Sequence, residues 1–505
     1  MTLDNKKSAF LFSAIILVAV IFINLIARNW FFRIDLTDNK MYSLSNSSIS
    51  VIEKIEDPLT IKIYFSDELP GQYGNNKRYL QDLLEEYSAY SSGDLKFEFY
   101  SPESDEQLGE EAQKYGIQPV QLQVIENDAI AIKKVYMGLV ILYEDNRETI
   151  PVIQTSTGLE YDITTKIKNL VETKKSKVGV LSTKLDVANQ NILQSLNQRF
   201  NVQSNLNLSN KIPADIKILI MNGIEDSLSL NEEINLRDYI SNGGNLFIGQ
   251  NRVSVNIQSQ QAQAIQSNVF DILDTYGLSI QENLVLDENC GQVNVQQQMG
   301  VFRVAVPMDY PFIPIINRFN LNDLTVMGLE SMTLMFASEI KPDSLMGNNF
   351  SPLLFTSNNT SLMSSFYNLS PDPKTNPAFT NLNEPSKILG ARIFIGNDSN
   401  FNSNITLITD SKFFADQGGG ASKENMIFIM NTIDFMLGDS ELISLRSREV
   451  TNRPLLTDSD GVTNRVKLTW KIINMILPTL LIILLGIFIV KRQQKQSSQL
   501  QSIYE

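Results

Sequence analysis

The sequence predicts an α/β protein anchored in a membrane by two transmembrane helices, one near each end, with a large soluble body between them. Three observations carry that expectation. Long uncharged apolar runs lie at Ser8–Ala27 and Ile472–Val490. Strand-like and helix-like apolar periodicities alternate through the interior. A content of 43% hydrophobic and 19% charged residues belongs to a folded chain rather than a disordered one. At roughly 100–200 residues per domain, the 505 residues allow two to four folded units.

The first run, SAFLFSAIILVAVIFINLIA, has the roughly 20 residues a helix needs to cross about 30 Å of hydrocarbon. Its apolar core is too long for a cleaved signal peptide, and no small-x-small cleavage site precedes Arg28. Trp30, Phe31 and Phe32, beside Arg28 and Arg33, form an interfacial anchor. The second run, IINMILPTLLIILLGIFIV, is flanked by Trp470 and Lys471 before it and Lys491 and Arg492 after it, and Pro478 is placed to kink it. Two spans put both termini on one side. Lys6, Lys7, Lys491, Arg492 and Lys495 favour a cytoplasmic N-terminus (1–7) and tail (491–505), although Arg28, Arg33, Arg465 and Lys467 nearly balance them.

After a lead-in segment (28–56), in which Ser45 is placed to cap a helix through Ile49, Val51, Ile52 and Ile55, the period changes. Leu59, Ile61, Ile63 and Phe65 alternate as in a strand, then Tyr79, Leu80, Leu83, Leu84 and Tyr87 repeat at helical spacing. A strand at Leu95–Phe99, a helix at Glu106–Tyr115 and strands at Val120–Val124, Ala129–Val135 and Gly138–Tyr143 follow, with a helix at Leu159–Val171. That order predicts a thioredoxin-like unit over 57–173, and the lack of C-x-x-C removes redox chemistry from it.

From 174 the strands Val178–Leu181, Ile216–Met221 and Leu246–Ile248 alternate with helices. Ser229-Leu230-Asn231-Glu232 has capping-box form, and Gly243-Gly244 closes the helix it opens. The pattern predicts a doubly wound parallel sheet over 174–440, interrupted by an irregular β-rich insertion at about 281–400. Ile405–Ile408 and the helix Glu424–Leu437, ended by Gly438, return to that sheet, and a juxtamembrane strap (441–471) leads to the second span.

The net charge of −14 disfavours an electrostatic grip on nucleic acid. The chain has no histidine, so the commonest acid-base and metal-binding side chain is missing. No G-x-x-x-x-G-K-[ST] phosphate cradle and no G-x-S-x-G elbow occurs. Asp271 and Asp274 read as surface carboxylates of a helix, Gly418–Gly420 as a flexible loop, and Asp398–Asn404 lacks EF-hand spacing. The sequence therefore predicts no catalytic, cofactor-binding or metal-ligating residue. Arg446, Arg448 and Arg453, followed by Pro454, form the strap's basic stretch, either a solvated contact to lipid headgroups or a dock for another membrane subunit.

Several short stretches carry a resemblance: Arg33-Ile34-Asp35-Leu36-Thr37 with Tyr42-Ser43-Leu44-Ser45, Ile240-Ser241-Asn242-Gly243-Gly244, Tyr310-Pro311-Phe312-Ile313-Pro314, Asn431-Thr432-Ile433-Asp434-Phe435, and the Leu445–Leu455 strap. In this order and spacing the chain resembles the GldG family, the auxiliary, substrate-binding-like proteins of the gliding-motility ABC transporter of Bacteroidota. The resemblance implies a non-catalytic subunit of the cytoplasmic membrane with a periplasmic body, no cofactor, and a separate permease and ATPase as partners. It marks Arg33, Asp35, Leu36, Thr37, Arg446, Arg448, Arg453 and Pro454 as candidate docking residues. The second unit also resembles the glutamine-amidotransferase-like class, without its nucleophilic cysteine. Where the family has Gly-Asp-x-Asp-Phe, this chain has Thr409-Asp410-Ser411-Lys412-Phe413, so no binding role is expected of that loop. A solute or glycan receptor, a structural anchor of gliding or secretion machinery, and a histidine-free glycoside hydrolase with two carboxyls about 5–10 Å apart stay open beside it.

Overall fold

The computed structural model describes residues 15, 16, 18, 43–67, 69, 71–91, 93–126, 129–172, 175–181, 189–299, 302–342, 349–397, 400–439, 442, 443, 445, 446 and 464–504. It divides into two compact units, Met1–Thr451 and Asn452–Glu505. Ile15, Ile16 and Val18 are helical, but most of the first expected span and all of Arg28–Tyr42 lie outside the described residues.

The larger unit begins with α1 (Asn46–Ile52), whose Ser45 cap accepts from the Ser48 N–H as expected. Next come β1 (Leu59–Phe65), α2 (Gly71–Tyr90), β2 (Leu95–Tyr100), α3 (Glu106–Lys114), β3 (Val120–Glu126), β4 (Ala129–Val135), β5 (Met137–Tyr143), β6 (Asn146–Ile150) and α4 (Leu159–Val171). The first sheet has the order β2-β1-β5-β6. β1 is parallel to β2 and antiparallel to β5, and β5 is antiparallel to β6. Leu59, Ile61, Ile63 and Phe65 bury one face of β1 together with Leu80, Leu84 and Tyr87 of α2 and Ile163 and Ile167 of α4. β3 and β4 pair only with each other, from Val120↔Val135 to Glu126↔Ala129, and so stand apart from the sheet that the alternation at Val120–Val124 had suggested they enter.

The second sheet is assembled around β7 (Lys177–Leu181), β8 (Asn201–Leu206), β9 (Ile216–Met221), β10 (Asn245–Gly249) and β23 (Asn400–Ile408), which run parallel in the order β23-β10-β9-β7-β8. Helices cover both faces. Ile192 and Leu196 of α5 (Gln190–Asn197) and Phe428, Ile429 and Ile433 of α8 (Lys423–Leu437) pack with Val178, Ile218, Ile220 and Phe247. Leu236 and Ile240 of α6 (Leu230–Ser241) and Phe270 and Leu273 of α7 (Val269–Thr275) pack with Leu219, Met221, Leu246 and Ile248 on the other side. The capping box at Ser229 and Glu232 forms as expected.

The segment expected as an insertion partly extends this sheet. β13 (Leu278–Ile280), β19 (Ile340–Pro342) and β22 (Ile388–Asn397) continue it beyond β23 with antiparallel pairing, and β20 (Phe350–Phe355) bridges β22 and β17 (Arg318–Phe319). Around it sit the pairs β11 (Val253–Asn256) with β12 (Gln261–Ala264) and β14 (Leu284–Asp287) with β21 (Thr360–Met363). The long hairpin β15 (Cys290–Met299) and β16 (Phe302–Ile316) is joined at its base by β18 (Met332–Thr333).

The smaller unit is α9 (Asn464–Tyr504). Its stretch Leu468–Gln494, with mean hydropathy 2.7, is long and apolar enough to cross a membrane. Its 27 residues extend about 40 Å at roughly 1.5 Å each, beyond the roughly 30 Å of a hydrocarbon core.

Candidate functional site

Helix α4 receives two distant parts of the chain on adjacent residues of its first turn. Glu160 is buried, and its Oε1 accepts from the Ser45 N–H at 2.8 Å and from Ser48 Oγ at 2.7 Å. Tyr87 of α2 donates to the Glu160 carbonyl at 3.2 Å, and the Leu44 N–H donates to Glu86 Oε2 at 3.0 Å. The chain that follows the first expected span is thereby fastened through buried polar contacts, which are hard to leave unmade.

Tyr161, the next residue, holds the other end. The Arg446 guanidinium lies 4.7 Å from the centre of the Tyr161 ring, and its Nη2 donates to Tyr161 Oη and to Asp434 Oδ2, each at 2.7 Å. Arg446 Nη1 donates to Asn431 Oδ1. Asp434, completely buried on α8, also faces Arg199. Arg199 reaches Asp439 at 3.0 Å, and Asp439 pairs with Lys168 of α4. Burial works against the charge on Arg446, and Tyr161 and Asp434 outweigh it and raise the proton affinity. Burial likewise opposes the charge on Arg199, while Asp434, Tyr161 and Asp439 raise its proton affinity. An alternating cluster of cations and anions thus closes the seam between the first sheet's α4 and, on the second sheet's side, α8 and the chain just after α5.

Of the residues that the sequence marked for docking, Arg446 alone is described, and it turns inward, 6% exposed, where an exposed strap was expected. Its reason is Asp434, a carboxylate set in the apolar run of α8 that needs a cation once buried. Arg33, Asp35, Leu36, Thr37, Arg448, Arg453 and Pro454 lie outside the described residues. Glu160, Tyr161 and Arg199 bear no mark in the sequence as site residues, and Asp434 figures there only within the Asn431–Phe435 stretch. A lone aspartate inside the apolar stretch Met426–Leu437 was the available signal.

The other sites weighed in the sequence resolve differently. Asp271 and Asp274 are exposed on α7, in keeping with surface carboxylates. Gly418–Gly420 is a packed turn rather than a flexible loop, since a Cβ on Gly418 would strike the Lys412 carbonyl and one on Gly419 the Phe413 carbonyl. Among the described residues no group of three or more His, Cys, Asp or Glu side chains is placed to hold a metal ion.

Comparison with known proteins adds the following. The profile of a family described as an ABC-type uncharacterized transport system, named for transporter auxiliary proteins, matches residues 175–439. A domain of unknown function matches residues 38–142. An uncharacterized protein of Borreliella burgdorferi is 24% identical over 488 residues, covering 92% of this chain and 94% of its own length. Among solved structures, the mmIFT52 N-terminal domain aligns over 51% of this chain and 96% of its own, at 14% identity and TM-score 0.34. A ThuA-like protein from Parabacteroides merdae aligns over 56% of this chain and 93% of its own, at 16% identity and TM-score 0.27. With a family profile spanning more than half of its residues, the chain belongs to the ABC-type uncharacterized transport system family of transporter auxiliary proteins.

Proposed function

We propose that this chain is a non-catalytic auxiliary subunit of an ABC transporter, working with a separate ATPase and permease and coupling the motion of its membrane segments to a periplasmic body. The observation that carries this reading is the first turn of α4. Adjacent residues there, Glu160 and Tyr161, hold the chain that follows the first expected span and the chain that precedes the second. The chain segments nearest the two expected spans are thereby brought to one helix at the seam of both sheets. The missing phosphate cradle supports placing ATP hydrolysis on another polypeptide.

In the same reading the protein sits in the cytoplasmic membrane with two spans and cytoplasmic termini, the candidate span at Leu468–Gln494 supporting the second. Residues 57–173 form a thioredoxin-like unit without C-x-x-C, supported by the β-α-β-α-β-β-α course of the β2-β1-β5-β6 sheet. Residues 174–440 form an amidotransferase-like unit, supported by helices on both faces of its parallel strands. Arg33, Asp35, Leu36, Thr37, Arg448, Arg453 and Pro454 dock the permease, and the transporter serves gliding motility as the GldG resemblance implies. Photo-crosslinkers at 35, 448 and 453 test the docking. Adducts to a polytopic membrane protein are expected, and adducts to lipid alone at all three positions overturn it.

A further inference from the structure

A cavity of about 740 Å³, within the roughly 300–1,000 Å³ range of ligand pockets, lies beyond the carboxyl ends of β9, β10 and β23. Open α/β sheets bind their ligands at that end of their strands. The Asp410 loop, for which the sequence led to no expected binding role, forms one wall. Its approach is made possible by Gly249, where a Cβ would stand 2.5 Å from the Asp410 carbonyl oxygen. The hairpin of β11 and β12 forms the wall opposite, bringing Asn256, Ile257 and Gln258 to the cavity.

The lining is built for hydrogen-bond donors. Asp410 is 1% exposed, and its Oδ1 and Oδ2 each accept one bond, from the Lys412 N–H at 2.8 Å and the Met335 N–H at 2.9 Å. A carboxylate has about four acceptor sites, so about half remain open. Asn251, 4% exposed, spends its amide nitrogen on the Val253 and Phe336 carbonyls at 2.8 and 3.2 Å, and its Oδ1 has no hydrogen-bond partner. Asp410 and Asn251 therefore grip the two ends of the Met335–Phe336 dipeptide, which itself lines the cavity. Phe336 is held there at φ +53°, in the left-handed region that a bulky side chain rarely adopts, and such strain collects at binding sites.

The same lining sorts ligands by charge. Asp410, buried, and Glu225, exposed at the rim, repel phosphates and carboxylates, while exposed Lys412 offsets part of their pull on a cation. Anions are disfavoured, and a neutral molecule meets the open acceptors with no charge to desolvate. Hydroxyl groups both donate and accept, which suits amide side chains such as Asn256 and Gln258. An apolar face suits Met335, Phe336 and Ile257, the last of which is 57% exposed although it borders the cavity. We propose that this cavity binds a neutral polyhydroxylated ligand, an oligosaccharide, with its hydroxyls on Asp410 and Asn251 and a ring face on Ile257. The inference stands on the cavity and does not depend on the transporter partners.

The test is a glycan array carrying neutral, sialylated, sulfated and amino-sugar oligosaccharides, probed with the full chain in lipid nanodiscs. Retention of neutral glycans over charged ones is expected, weakened at least about tenfold by Ile257→Asp and by Asp410→Asn. Ile257 is exposed, so its variant keeps the fold, and an unchanged urea midpoint verifies this. Three results each overturn the proposal: no neutral glycan retained, charged glycans retained more strongly, or neutral binding that neither substitution weakens.

Discussion

Replacing Arg446 by methionine removes one cation from the seam at nearly constant volume. Asp434 is then left buried with Arg199 alone, and the contacts to Tyr161 and Asn431 disappear. Removing one partner of a buried pair costs about 3–5 kcal/mol because the other charge loses its compensation. Since Arg199 still faces Asp434, the lower end applies, about 3 kcal/mol. Asp434→Asn belongs to the upper end, about 5 kcal/mol, because two buried arginines lose their shared anion. Arg446→Lys keeps the charge but not the planar fork or the stacking on Tyr161, so it falls between Arg446→Met and the unsubstituted chain. Urea unfolding of the detergent-solubilised chain reads the differences as lowered midpoints at unchanged slope. Equal midpoints for Arg446→Met and the unsubstituted chain would refute the buried clamp, as would a smaller loss for Asp434→Asn than for Arg446→Met.

Asp410 gives a pH signature. Burial raises its pKa from 3.8 to about 6, so the folded state holds a proton that the unfolded chain has released between those values. Stability should therefore fall as pH rises from about 4 to about 6, by up to about 3 kcal/mol, and Asp410→Asn should flatten that decline in urea midpoints. Gly249→Ala places a methyl group 2.5 Å from the Asp410 carbonyl oxygen, and a loss of about 1–3 kcal/mol is expected in the same unfolding assay. Ser229→Ala opens the capping box of α6 at a cost of about 1 kcal/mol. Deleting Leu468–Gln494 should leave the chain in carbonate-washed membranes, held by the first span, and only the further loss of Ser8–Ala27 should release it; release by the single deletion argues against two spans.

Local periodicity made much of the fold legible. The alternation at Leu59–Phe65 and the capping signals at Ser45 and Ser229 are decided by side chains within a few residues of each other, and each forms as the sequence predicts; the return of Ile405–Ile408 to the parallel sheet also forms, though it rests on the order of strands and helices and not on neighbouring residues. Sheet membership was not legible in the same way. Val120–Val124 alternates like β1, yet its partner is β4, and nothing in the alternation names a neighbour. For the same reason β19, β20 and β22 looked like parts of a separate insertion when they extend the main sheet. The seam was least legible, because Arg446 reads as a solvated charge until Asp434, Tyr161 and Arg199 are brought to it from three other elements. The glycines at 418–420 misled in the opposite direction, since close backbone approach and flexibility leave the same residue in the sequence.

The central claim is that this chain works inside a transporter complex. Purifying the full chain in mild detergent, identifying its companions by mass spectrometry and assaying the eluate for ATP hydrolysis tests it most directly. Recovery of a polytopic permease with an ATPase that turns over ATP is the expected result; repeated recovery of the chain alone, with no ATPase activity, would contradict it.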